Sequence, residues 1–406
     1  MPPSTAILVR GARQLLTLRG NRPRRGPEMN DLGIIRDGAL LIRDGVIDRV
    51  GVSRQIENLA GARDAVEINA AGRIVMPGFV DSHTHLLFPP PGITADDGRD
   101  AAHAIAAATA QRLAGRVQNY VQAMARHGST TVEVKAGCGA DEAAALKLLR
   151  VAADLQGRTL DLVPTLLFRL PPSDDAGSEA EAARRVIAEL LPKIHRRRLA
   201  RFADVAWDAG SGRHLHFTRY MGAAQQHELG LKVHADQATP RGAIILAVER
   251  FAASVDHLEH ADADDARLLR GIETVATLLP AASFHSGGPF APARALIDAG
   301  AAVALATNFN PHLTPTLSMQ TVLSLARKCM KMTAAEAIAA ATINGASALG
   351  CGARVGSLEN GKQADLVVVN AGDYREVAEQ MGTNLVQVTI RRGEILYREG
   401  VVMDQR

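Results

Sequence analysis

Cysteine is scarce: the 406 residues contain only Cys138, Cys329 and Cys351, and no two of them stand in a CxxC spacing. An odd, scattered set excludes a disulfide framework and a cysteine zinc site, and it fits the reducing cytoplasm. Long apolar runs are missing too. No uninterrupted stretch reaches the roughly 18 residues that a membrane span needs, and the N-terminus lacks an apolar signal core, so no membrane association is expected. Nor does one sign of charge dominate, with 46 basic against 43 acidic side chains. Aromatic residues make up 3% and do not interleave with any basic stripe, which disfavours a nucleic-acid partner. The most basic stretch, RGNRPRRGP at 19–27, reads as an exposed loop.

What is present is core-forming material, with 47% apolar residues beside 22% charged ones. That composition is ordinary for a soluble globular protein, and the length suits one barrel of about 250 residues with a smaller partner domain. Near the start, ILVRGARQLLTL, DGALLIRDGVIDRVG and AVEINAAGRIV are short, rich in Ile, Val and Leu, and punctuated by Gly, Asp and Asn, as strands are. After Met76 the texture changes. Strand-like runs alternate with Ala- and Arg-rich helical segments, the pattern of parallel βαβ units. Eight such runs follow in order: VMPGFVDSHTHL, TTVEV, DLVPTLLF, ADVAWDAG, LKVHAD, SVDHLEH, TVATLLP and AVALATN. Eight is the number of a (β/α)8 barrel. A last helical stretch, MTAAEAIAAATINGASAL, carries a capping-box pattern at Thr333 and Glu336. GSLENGKQADLVVVNA and VTIRRGEILYREG then return to strand texture. The expected architecture is α/β: a TIM barrel over 76–352, with a β-sandwich built from both chain ends, 1–75 and 353–406.

Polar residues gather where a parallel barrel places its chemistry, at the C-terminal ends of the strands. His83 and His85 stand two apart in a strand, so both side chains face the same way and can share one cation. His234 ends the fifth run, His257 and His260 the sixth, and Asn308 the eighth. His257 reads as a ligand or an acid/base group, and His260 as a strand cap. Imidazole ligands suit Zn2+ or Fe2+, and one such cation lowers the pKa of water enough to supply hydroxide near neutral pH.

MPGFVDSHTHL, TTVEVKAGCGADEAAALKLLRVA, GLKVHADQ, SVDHLEH, ALATNFNP, MKMTAAEAIAAATINGASALG and GSLENGKQADLVV together resemble the amidohydrolase superfamily, in its imidazolonepropionase-like family. The resemblance runs from about Arg43 to Gly393. It implies metal ligands at His83, His85 and His234, a catalytic group beside the reacting carbonyl at His257, a small-molecule substrate and a homodimer. It also marks departures. Where the family carries an aspartate that binds metal and acts as base, this chain has Asn308, and where it carries a glutamate after HAD, this chain has Gln237. Both changes replace a carboxylate by its amide, which cannot accept a proton at physiological pH. Cys138 stands where the family has a substrate-side tyrosine, and Arg169 is a candidate for the cation that holds a substrate carboxylate. The expected activity is metal-dependent cleavage of a non-peptide C–N bond in a small cyclic amide or nitrogen heterocycle. The alternatives are a non-hydrolytic metalloenzyme and a non-catalytic ligand-binding relative.

Overall fold

Period-two burial organises both ends of the chain. The computed structural model describes residues 6–89, 104–137, 142–169, 176–206, 214–235 and 242–401. The N-terminal part contributes β1 (Ile7–Leu16), β2 (Ile34–Arg43), β3 (Val46–Val52), β4 (Val66–Asn69) and β5 (Ile74–Pro77). Eight strands β6–β13 follow, and β14 (Leu366–Val369), β15 (Val386–Arg391) and β16 (Glu394–Arg398) close the chain. The two ends share one mixed sheet in the order β16-β15-β14-β5-β1-β2-β3, with β4 beside β1. Alternation in β14 shows how it is used: Leu366 and Val368 pack with Val9, Leu15, Leu40 and Ile42, while Val367 and Val369 face the barrel's core. The sheet also curls back on itself, since Val46 bridges to Gln363 and Gly45 lies against the Arg392 carbonyl.

The barrel strands are β6 (Phe79–Asp81), β7 (Ser129–Ala136), β8 (Asp161–Phe168), β9 (Phe202–Ala206), β10 (Gly230–Ala235), β11 (Ser254–His257), β12 (Val275–Leu278) and β13 (Val303–Leu305). Each pairs in parallel with the next. Closure comes just past the named strands, where Thr84 bridges in parallel to Phe309, Asn308 N donates to His83 O at 3.1 Å and His85 N donates to Phe309 O at 2.7 Å. The barrel expected from the eight runs is therefore present.

Two local expectations change. The run VMPGFVDSHTHL is not one strand: it divides at Gly78 between the mixed sheet and the barrel. Gly78 N donates to Asp365 O at 3.0 Å, and a Cβ there would stand 2.4 Å from Thr130 Cγ2, so only glycine passes this crossing. The basic stretch at 19–27 is exposed over 19–22 and at Pro27, while Pro23, Arg24 and Gly26 between them are buried. Asn344 explains the docking: its Oδ1 accepts from Arg24 N at 2.7 Å, and its Nδ2 donates to Arg24 O and to Val303 O. The Thr333–Glu336 capping box forms as expected, and the helix it starts reaches Asn344 through a π-helical turn.

The helix Ala110–Arg126 couples the two units. Thr109 caps it by accepting from Arg112 N, and Leu113, Val117, Val121 and Met124 form its buried stripe. Burial of each such side chain stabilises by about 1.5–3 kcal/mol. Thr389 of β15 donates to Ala125 O at 2.7 Å, which pins the mixed sheet to the helix end.

Asp365, at the same junction, accepts from Arg392 N at 2.8 Å, and burial pushes its carboxyl up to about 7. A raised acid stays protonated in the folded chain at a pH where the unfolded chain has released the proton. Stability at this site is therefore expected to fall as pH rises from about 4 to about 7, by on the order of 2–4 kcal/mol. Urea unfolding of wild type and Asp365→Asn at pH 5 and pH 8 checks this, with the variant losing less stability between the two.

Candidate metal-dependent active site

Strand alternation delivers the first groups. Asp81, His83 and His85 follow one another at spacing two on the inward side. Asp81 closes the seam below them, accepting from Thr307 N at 3.0 Å and Thr307 Oγ1 at 2.6 Å. His234 comes from β10 and His257 from β11. The ring centres of His83 and His234 are 4.5 Å apart, those of His83 and His85 5.3 Å, and those of His234 and His257 5.3 Å.

One ligand atom from each of His83, His85 and His234 lies within 4.8 Å of the others, so one ion can be held by all three. The hydrogen bonds select the free edge of His83. Its Nδ1 meets Asp256 Oδ2 at 2.7 Å, and its buried Nε2 has no hydrogen-bond partner among the described residues. A buried ring nitrogen with nothing to bind is costly unless a cation or a ligand completes it. His234 Nδ1 lies 2.9 Å from Asp204 Oδ2, off the line of a hydrogen bond. All three imidazoles are held neutral, as metal ligands must be. Burial and then Lys135 push His83 well below its ordinary pKa; burial and then His234 do so for His85, and burial and then Lys135 for His234.

Beneath the histidines lies a fully buried layer of charge. Lys135 contacts Asp204, Glu133 at 3.1 Å and Asp256 at 3.4 Å, while Lys232 contacts Glu133 at 3.0 Å and the Ser82 carbonyl at 2.9 Å. Thr165 donates to Glu133 at 2.6 Å, and Ser254 donates to Asp256. Burial alone would raise Asp256, but Lys232 and Lys135 outweigh it and bring its carboxyl down to about 2. Burial raises the carboxyls of Glu133 and Asp204 against the pull of the lysines, so the two ammonium groups face three carboxylates of which Asp256 is the one held low. Glu133, Asp204 and Asp256 also fall into metal-sized groups with His83 or His234. One oxygen of each carboxylate is engaged by a lysine, and hydroxyls of Thr165 and Ser254 hold a second oxygen on Glu133 and Asp256, so the three histidines, whose nitrogens converge on one point, are the better donor set.

The backbone is bent where the chemistry gathers. His257 has φ 85° and Leu258 φ 67°, both left-handed, a conformation costing about 1–3 kcal/mol. The bend lets consecutive residues Asp256 and His257 both reach the His83 neighbourhood, which plain alternation forbids. His257 Nδ1 then meets Glu259 Oε1 at 3.1 Å. Asn308 is also left-handed, with φ 51°, which asparagine tolerates, and its buried Oδ1 has no hydrogen-bond partner among the described residues.

The other expected residues distribute as follows. Arg169 is exposed just beyond β8, and its charge is felt at His234. Cys138 and Gln237 lie outside the described residues. Sequence reasoning missed Glu259, Glu133, Lys135, Asp204, Lys232 and Asp256. The period-two spacing of Glu133 with Lys135 and of Lys232 with His234 was the available signal.

Comparison with known proteins bears on the family and the fold. Residues 74–396 match the family model described as "Amidohydrolase family". An imidazolonepropionase of Deinococcus radiodurans is 40% identical over 397 residues, covering 93% of this chain and 96% of that protein. One of Parabacteroides distasonis is 36% identical over 97% of this chain and 99% of that protein. Among solved structures, an adenosine deaminase from Xanthomonas campestris with bound zinc superposes with a TM-score of 0.73 at 19% identity, covering 98% of this chain and 95% of that one. E. coli guanine deaminase superposes with a TM-score of 0.73 at 17% identity, over 98% and 100%. At such identities the structural likeness speaks for the fold.

Proposed function

The chain belongs to the amidohydrolase family, and on that footing we propose that it hydrolyses a carbon–nitrogen bond in a small cyclic amide or nitrogen heterocycle, with His83, His85 and His234 holding one divalent metal. The observation that carries the reading is the buried Nε2 of His83, without a hydrogen-bond partner among the described residues and converging with the neutral imidazoles of His85 and His234. Nitrogen donors of this kind suit Zn2+ or Fe2+. Such a cation, when bound, polarises a carbonyl and acidifies water.

Proton transfer falls to His257. With Glu259 accepting from Nδ1, the lone pair of His257 sits on Nε2, and the carboxylate steadies the imidazolium formed when that atom takes a proton. Asn308 presents an oxygen acceptor and no base. Gln237 joins His257 and Asn308 in the catalytic set, and Cys138 is assigned to the substrate side with Arg169, whose cation suits a substrate carboxylate. The scattered cysteines support a cytoplasmic setting, and a homodimer follows from the family resemblance. Among the described residues no helix is long and apolar enough to cross a membrane.

Incubation with a panel of cyclic amides in 18O-labelled water tests the reading, since hydrolysis places the label in the product. His257→Gln is expected to lower kcat/KM by about 10²–10⁴ at unchanged metal content. An unchanged rate would move the proton work to another group.

A further inference from the structure

At the opposite end of the barrel from the histidines, a cavity of about 310 Å³ opens between the starts of β8 and β9 and the turn that follows the last barrel helix. Its volume falls in the range of small-molecule sites, about 300–1,000 Å³. Apolar groups, Leu199, Val163 and Val355, line part of it, and Arg198, Arg201, Arg354 and Arg392 supply guanidinium groups.

The charge there is unbalanced. Among the described residues the lining holds one carboxylate, Asp161, which pairs with Arg392 and Arg391: its Oδ2 accepts from Arg392 Nη2 at 2.8 Å and from Gln363 Nε2 at 3.3 Å, and its Oδ1 lies 3.8 Å from Arg391 Nη1. No carboxylate among the described residues lies within 4.0 Å of Arg198, Arg201 or Arg354. Cys351 offers no compensating thiolate, because burial pushes its thiol up to about 11. Arg201 spends one nitrogen on the Gly350 carbonyl, and Arg354 has only a 3.4 Å contact with Gln363 Oε1. Like charges gathered round a concavity with donors to spare are the arrangement that recognises an oxyanion.

We infer that this cavity binds a small multivalent oxyanion, a phosphate ester or a dicarboxylate, held by Arg198, Arg201 and Arg354. The bound anion ties the residues that lead into β9 to the turn carrying Arg354. It thereby joins the strand that bears Asp204 to the C-terminal part of the chain.

Calorimetric titration of the full-length, metal-loaded protein with inorganic phosphate and, separately, with succinate is the test. Saturable heat from at least one titrant is expected, persisting after the metal is stripped by a chelator and the chelator removed. Arg201→Gln and Arg354→Gln are each expected to weaken Kd roughly tenfold or more, with Arg198→Gln as a third variant that leaves the Arg201–Gly350 contact intact. Thermal unfolding establishes that each variant is folded. Response to phosphate alone identifies a phosphoryl ligand, and response to succinate alone a carboxylate. Absence of saturation by either titrant, loss of the heat with the metal, or an unchanged Kd in all three variants overturns the inference.

Discussion

Purified wild-type protein is expected to carry close to one equivalent of divalent metal, and the His83→Ala/His85→Ala variant to carry essentially none. The effect is large because the change removes two of three nitrogen donors. Loss of a single supporting partner around a metal ligand already costs about 10–100-fold in affinity. Hydrolysis should disappear with the metal. Removing the ligands also removes the stabilisation by an ion that binds only the folded chain, so thermal unfolding of the wild type should rise with added zinc or iron while the variant stays flat. A wild type that stays metal-free after zinc and iron are supplied would sink the metallohydrolase reading.

The second large effect is on stability. Lys135→Met is expected to cost about 3–5 kcal/mol, the scale for removing one partner from a buried ionic group. Lys135 contacts Glu133, Asp204 and Asp256, and Lys232 alone cannot neutralise all three once Lys135 is gone. A second change, Asp204→Asn, removes one of the stranded charges, so the Lys135→Met/Asp204→Asn variant should recover a substantial part of the loss. Urea unfolding of the wild type, the single and the double variant measures this. Equal destabilisation in both variants would show that packing volume, and not charge, is what Lys135 contributes.

The barrel and the pairing of the chain ends were legible because each rests on a local pattern. Apolar runs of strand length recur between helical segments, and a two-residue spacing puts His83 and His85 on one side of a strand. The charged floor was not legible. Glu133 and Lys135 read as the polar half of an alternating strand, and nothing in the sequence says that their partners stand on β9, β10 and β11. Asp256 was hidden for another reason, because alternation assigns it and His257 to opposite faces until the left-handed turn at His257 is known. The division of VMPGFVDSHTHL was legible only in part. A Pro-Gly pair signals a break, but the Thr130 side chain that demands glycine is distant in sequence. Docking of the 19–27 stretch depends on Asn344, which no pattern near the stretch announces.

The mixed sheet has a consequence for the order in which the protein is made. β5 leaves the ribosome with β1 on one side, while its other neighbour, β14, is translated only after the whole barrel. At about 5–20 residues per second, that edge stays open for roughly 15–60 seconds. During this interval the nascent chain carries an unsealed strand beside a maturing barrel, and it is then that a chaperone, or another nascent copy of the same chain, has its opportunity to bind.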